Sequence, residues 1–177
     1  MSIIPHGPIR SVLALVLGLC FGVGIFLLTS RWEGQMEQAE VQELPVGMEL
    51  QSLRGTQQPL AMITAEKPAV VVVFSSWCRY CKPVLRDAMR FNALATQEGV
   101  GVYAVNYGET PEKARQVVAS LGLDMPVLLD EDKEFAKAVG LNSVPRVFGV
   151  AQGGAIRFEG SSLPPESEWA AFIGTLR

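Results

Sequence analysis

Apolar and polar residues along this chain fall into blocks whose period changes from element to element. Residues 11–30 carry no charge, and 12–28 are almost wholly apolar. A helix of that length rises about 30 Å, the thickness of a bilayer core. Beyond residue 44 the blocks shorten. Residues 48–53 and 58–62 flank Arg54-Gly55 and predict a hairpin. The run Ala69–Phe74 is β-branched and uninterrupted, as in a strand buried on both faces. Residues 81–97 then read as a helix, with Pro83 tolerated in its first turn. A second apolar strand is expected at 100–105. Thr110-Pro111-Glu112 opens a helix that Gly122 closes. A short strand is predicted at 126–129, and a helix capped by Asp132 runs to Val139 and stops at Gly140. Residues 146–151 and 155–159 flank Gln152-Gly153-Gly154 as a second hairpin. The last block, 165–176, places Trp169, Phe172, Ile173 and Leu176 on one side of a helix. Helices between strands imply parallel pairing and the final hairpin an antiparallel pair. The expected fold class is therefore α/β, with a mixed central sheet and helices on both faces.

The first apolar block has two readings. Arg10 and Arg31 bracket it, and Trp32 stands where an interfacial aromatic belongs. A cleaved signal peptide has an apolar core of about 7–15 residues followed by a small-residue cleavage site. This run is longer, and Thr29-Ser30-Arg31-Trp32 follows it. Leu19 before Cys20 also disfavours a lipoprotein site. The expectation is one N-terminal transmembrane helix over 11–30, after a short cytoplasmic tail, 1–10. An acidic linker, 31–44, carries Glu33, Glu37, Glu40 and Glu43, and one domain occupies 45–177. The short tail favours a single-pass protein of the bacterial inner membrane with its domain in the periplasm or outside.

Composition narrows the function. The chain has 177 residues, a formal net charge of −3 and three cysteines, too few for a disulfide-stapled scaffold. No basic patch points to nucleic acid. The sole histidine, His6, precedes the anchor, so no zinc ligand set is available and neither metal nor cofactor is expected. The chemistry gathers at Trp77-Cys78-Arg79-Tyr80-Cys81, between the buried strand and the long helix. Two cysteines at this spacing can close a small disulfide, and the helix N-terminus favours the thiolate of the first. Strand, Cys-x-x-Cys and helix in that order point to thiol–disulfide exchange.

Phe74-Ser-Ser-Trp77-Cys78-Arg-Tyr-Cys81-Lys82 resembles the active-site segment of the thioredoxin superfamily. Val144-Pro145 before a strand resembles its cis-proline loop, and the helix and strand over 110–129 resemble the insertion of TlpA/ResA-type thiol–disulfide oxidoreductases. The resemblance covers about 44–176 and implies a thioredoxin-like fold. It implies that Cys78 is the exposed nucleophile, that Cys81 resolves the mixed disulfide, and that Pro145 is cis. Val144 would pair with an extended substrate, and Trp77 would border the substrate groove; Arg79 and Tyr80, read from their place between the cysteines, are candidate supporting residues. Implied partners are protein thiols or disulfides and a membrane electron donor or acceptor for the dithiol. The sequence departs from the family at three places, the first being Arg79-Tyr80, which lacks the proline common between the two cysteines. Val72 and Val84 stand where relatives carry an acid, leaving Asp87 as the nearest downstream carboxylate. Arg79 adds positive charge beside Cys78, which favours the thiolate and a more oxidising couple.

The expected activity is reduction of protein disulfides during envelope protein or cytochrome c maturation. The alternatives are a disulfide-forming oxidant and Cu(I) handling, either as a metallochaperone or as a reductant of a copper site. A thiol peroxidase is disfavoured because Val71 stands where that chemistry wants proline.

Overall fold

The computed structural model describes residues 42–177, and the expected tail, anchor and most of the linker lie outside the described residues. Among the described residues no helix is long and apolar enough to cross a membrane. The strands are β1 (Glu49–Ser52), β2 (Gln57–Pro59), β3 (Ala69–Phe74), β4 (Gly101–Tyr107), β5 (Val127–Asp130), β6 (Arg146–Val150) and β7 (Ile156–Gly160). The helices are α1 (Leu60–Thr64), α2 (Cys81–Gln97), α3 (Pro111–Leu121), α4 (Glu134–Ala138) and α5 (Trp169–Thr175). A 3₁₀ turn, Glu166–Glu168, leads into α5.

The strands form one mixed sheet in the order β2-β1-β5-β4-β3-β6-β7. β3 is an interior strand, parallel to β4 on one side and antiparallel to β6 on the other. Every residue of β3 is buried, and its two faces feed separate cores, as the period of a strand requires. Val70, Val72 and Phe74 pack with residues of α2, α3 and α5, including Leu85, Phe91, Val117 and Phe172. Ala69, Val71 and Val73 pack with residues of α1 and α4, including Leu60, Ile63 and Phe135. The helices therefore cover both faces of the sheet. Within α2, Cys81, Val84, Leu85, Ala88, Phe91 and Ala95 recur at helical spacing and all are buried.

Two local expectations change. The second strand of the first hairpin stops at Pro59, and Leu60–Thr64 is helical. Proline lacks the N–H that a ladder needs, and a helical turn brings both Leu60 and Ile63 into the core. At α4 the capping acid is Asp130, at the end of β5, in place of Asp132. Its carboxylate accepts the backbone N–H groups of Phe135 and Ala136, each at 3.0 Å. Lys133, with φ 61°, occupies the N-cap position. Residues at the end of the expected linker are paired in the fold: Ile156 N–H donates to Gln42 O and Leu44 N–H to Gly154 O.

Candidate active site

β3 delivers the redox segment. The chain leaves the sheet after Phe74, and the Cys78 and Cys81 N–H groups donate to the carbonyls of Ser75 and Cys78. These two turns carry the chain into α2, whose first residue is Cys81. Cys78 and Cys81 are joined as a disulfide with their Cα atoms 5.4 Å apart. Cys78 is 5% exposed and Cys81 1%, so the first sulfur is the more accessible of two largely buried ones. Both belong to the apolar core shared by Val72, Val84 and Phe91.

β6 brings the second part. It runs antiparallel to β3, with Val73 opposite Arg146, so the start of β6 lies beside the end of β3. The residues just before β6, Val144 and Pro145, are thereby carried to the redox segment. Their peptide bond is cis, and the Val144 carbonyl oxygen lies 3.5 Å from Cys78 Sγ. Both residues are half-buried. In the dithiol form this oxygen is placed to accept a hydrogen bond from the Cys78 thiol.

The remaining residues singled out in the sequence stand at the rim. Trp77 is 67% exposed and Tyr80 61%, an apolar surface on either side of Cys78. Arg79 is exposed and turned onto its neighbour. Its guanidinium lies 4.4 Å from the Tyr80 ring centroid and donates to the Tyr80 hydroxyl. Asp87 is committed to a 2.7 Å ion pair with Arg90.

One carboxylate of the site does not stand out in the sequence. Glu109, just after β4, is 5% exposed. Its Oε2 accepts the Ser76 N–H at 2.7 Å and an Asn106 Nδ2–H at 2.9 Å, and its Oε1 accepts the Ser76 hydroxyl at 2.5 Å. Burial opposes ionisation of Glu109. Donation from the Ser76 side chain and backbone and from Asn106, with the charge of Lys113, outweighs it and holds the carboxyl below its ordinary range. Its signal in the sequence was faint: a single acid between a strand and a Thr-Pro helix start.

A thioredoxin-like fold with a disulfide at the head of α2, and a cis-proline loop against its more accessible sulfur, defines a thiol–disulfide oxidoreductase. The chain belongs to the Redoxin family, whose pattern it matches over residues 40–168. It is 25% identical over 176 residues to the thiol:disulfide interchange protein DsbE of Pseudomonas aeruginosa, a match that spans 94% of this chain and 93% of that one. It is also 25% identical over 148 residues to the thiol-disulfide oxidoreductase ResA of Bacillus subtilis, with 84% and 80% covered. These relatives agree with the TlpA/ResA-type resemblance. Among solved structures, a secreted Mycobacterium tuberculosis disulfide oxidoreductase homologous to Escherichia coli DsbE superposes with a TM-score of 0.64 at 16% identity. That match covers 74% of this chain and 97% of the other, and supports the fold.

Proposed function

We propose that this oxidoreductase is a membrane-anchored reductant of protein disulfides in the bacterial envelope. The observation that carries this reading is the placement of Cys78. Its sulfur is the more accessible of the pair, stands at the head of α2, and faces the carbonyl of Val144. In the dithiol protein the Cys78 thiolate attacks one sulfur of a client disulfide. A mixed disulfide forms and the first client sulfur leaves as a thiolate. Cys81 then gives up its proton and attacks Cys78 Sγ. The Cys78–Cys81 disulfide closes and the second client thiolate leaves. Two electrons pass to the client, and the two protons of the dithiol end on its thiols. A membrane dithiol donor returns the pair to its reduced form.

Val144 offers its backbone to an extended client segment, which pairs with it as an added strand. Trp77 and Tyr80 supply apolar contact on either side of the reacting sulfur, with Arg79 holding the Tyr80 ring. The charge-free run 11–30 supports an inner-membrane anchor, with 1–10 in the cytoplasm and the domain in the periplasm. The cysteines of apocytochromes c, which must be reduced before maturation, are the first clients to test.

The full-length Cys81→Ser protein in membranes provides that test. It accumulates mixed disulfides through Cys78, seen on non-reducing gels, whereas Cys78→Ser accumulates almost none. Protease added outside the inner membrane digests the domain, and carbonate washing leaves the chain in the membrane. Equal trapping by both variants would reverse the roles of the cysteines. Protection from protease would reverse the orientation.

A further inference from the structure

Glu109 lies outside the steps of the exchange, yet it is the buried carboxylate built into the redox loop. Its place follows from topology. β3 and β4 are parallel neighbours with Phe74 opposite Asn106, so both chains leave the sheet at the same end. One continues as the redox loop and the other as residues 107–110. Glu109 bridges them by accepting hydrogen bonds from both the backbone N–H and the hydroxyl of Ser76, two residues before Cys78. The Ser75 hydroxyl ties the same loops by donating to Tyr107 O at 3.0 Å. Asn106 beneath is fully buried. Hydrogen bonds to an ionised acceptor are the strong ones, and a charge away from water is little screened.

We propose that Glu109 is a positioning residue that fixes the loop presenting Cys78, and that its charge makes the dithiol a stronger reductant. The charge acts through the thiolate. A buried anion bonded to Ser76, two residues before Cys78, disfavours a second anion at Cys78, which favours the disulfide over the dithiol form and lowers the potential. The cations around the loop are exposed or turned to other partners, Lys133 among them, with its Nζ 5.1 Å from the Tyr107 ring centroid. Arg79 and Lys82, on either side of the start of α2, are exposed, and Arg79 is turned onto Tyr80. Arg146, at the start of β6, is paired with Glu159 at 3.2 Å. Lys113 on α3 is exposed and acts on Glu109 itself. The inference rests on Cys78 being the attacking sulfur, which the trapping experiment above tests separately.

The test is the equilibrium of the full chain with glutathione, measured for Glu109→Gln and Glu109→Asp. Glutamine keeps the size and loses the charge, and aspartate keeps the charge on a shorter arm. Glu109→Gln shifts the equilibrium about tenfold toward the dithiol, or about 30 mV for this two-electron couple. In the same variant, alkylation of Cys78 moves to lower pH. Glu109→Asp stays near wild type in potential even where its melting temperature falls. A purely structural residue would lower the melting temperature in both variants and move the potential in neither, and that result overturns the proposal. A potential shifted as far by aspartate as by glutamine overturns the charge effect. Should Glu109→Gln not fold, Glu109→Met, which also loses the charge at similar length, takes its place with the same expected shift toward the dithiol, and an unmoved potential overturns the proposal. Loss of trapping by Cys81→Ser with these shifts intact would instead count against the assigned role of Cys78.

Discussion

The carbonyl oxygen of Val144 and the sulfur of Cys78 lie 3.5 Å apart although 66 residues separate them in the chain. The antiparallel pairing of β3 with β6 makes the meeting obligatory, because it sets the end of one strand beside the start of the other. One sulfur of the pair thus faces the loop that would receive a client. The other, 1% exposed, lies deeper in the apolar core that both sulfurs share.

The two thiols should therefore titrate and react in order. Cys78 meets the N-terminus of α2, which favours its anion. Cys81 is the more deeply buried of two sulfurs in one apolar core, which disfavours its anion more. Alkylation of the reduced protein across pH, followed by peptide mapping, should modify Cys78 first and leave Cys81 resistant until higher pH. Equal rates at both sites would contradict this.

Trp77 and Tyr80 are too exposed to hold the fold together. Replacing either with alanine should change stability by no more than about 0.5 kcal/mol, as for surface sites in general. The same variants should lose several-fold in kcat/KM toward a protein disulfide while keeping the wild-type rate with a small disulfide. A parallel loss on both substrates would assign them to the redox chemistry itself.

Glu109 and Asp130 should pull stability in opposite directions with pH. The carboxyl of Glu109 is held below its ordinary range in the fold. Its contribution is present above its unfolded value and is lost as the pH falls through the folded one. Burial raises Asp130 against the pull of the N–H groups it caps. Its protonated form is favoured by folding, so its contribution is present below the unfolded value and is lost as the pH rises through the folded one. In urea titrations of the oxidised protein from pH 7 to 3, the gap between wild type and Glu109→Gln should narrow on acidification. A gap that widens would put the sign for Glu109 wrong.

Gly149 in β6 is required by contact. A Cβ there would stand 2.8 Å from Leu176 Cδ2 and 3.0 Å from both Phe158 Cβ and Phe172 Cζ. Gly149→Ala should destabilise the domain by about 1–3 kcal/mol through overpacking. Thermal denaturation checks this, and an unchanged melting temperature would mean that α5 can retreat freely from the sheet.

Much of this was legible in the sequence because it is local. The β-branched run of β3, the boundaries of α2 and the closure of α3 at Gly122 follow from composition and spacing a few residues long. The start of α1 was obscured because Leu60 and Met62 fit a strand as well as a helix, and only the need to bury Leu60 together with Ile63 decides between them. Asp132 looked like the cap of α4 because it is nearer in sequence, whereas the end of β5 aims Asp130 at those N–H groups. Glu109 was hidden for a different reason. It acts on Ser76, 33 residues away, through two loops that only a parallel strand pair places side by side.

The two-faced burial of β3 divides its packing partners into two sets. Val70, Val72 and Phe74 share their packing with the cysteines, whereas Ala69, Val71 and Val73 share theirs with Leu60 and Phe135 on the opposite side of the sheet. Substitutions in the first set change the medium in which the couple ionises, while those in the second set meet the sulfurs through Val144, the residue that packs against both sides. Val144 is therefore the hinge through which a change made for heat or cold on one side is felt as a change in electron transfer on the other.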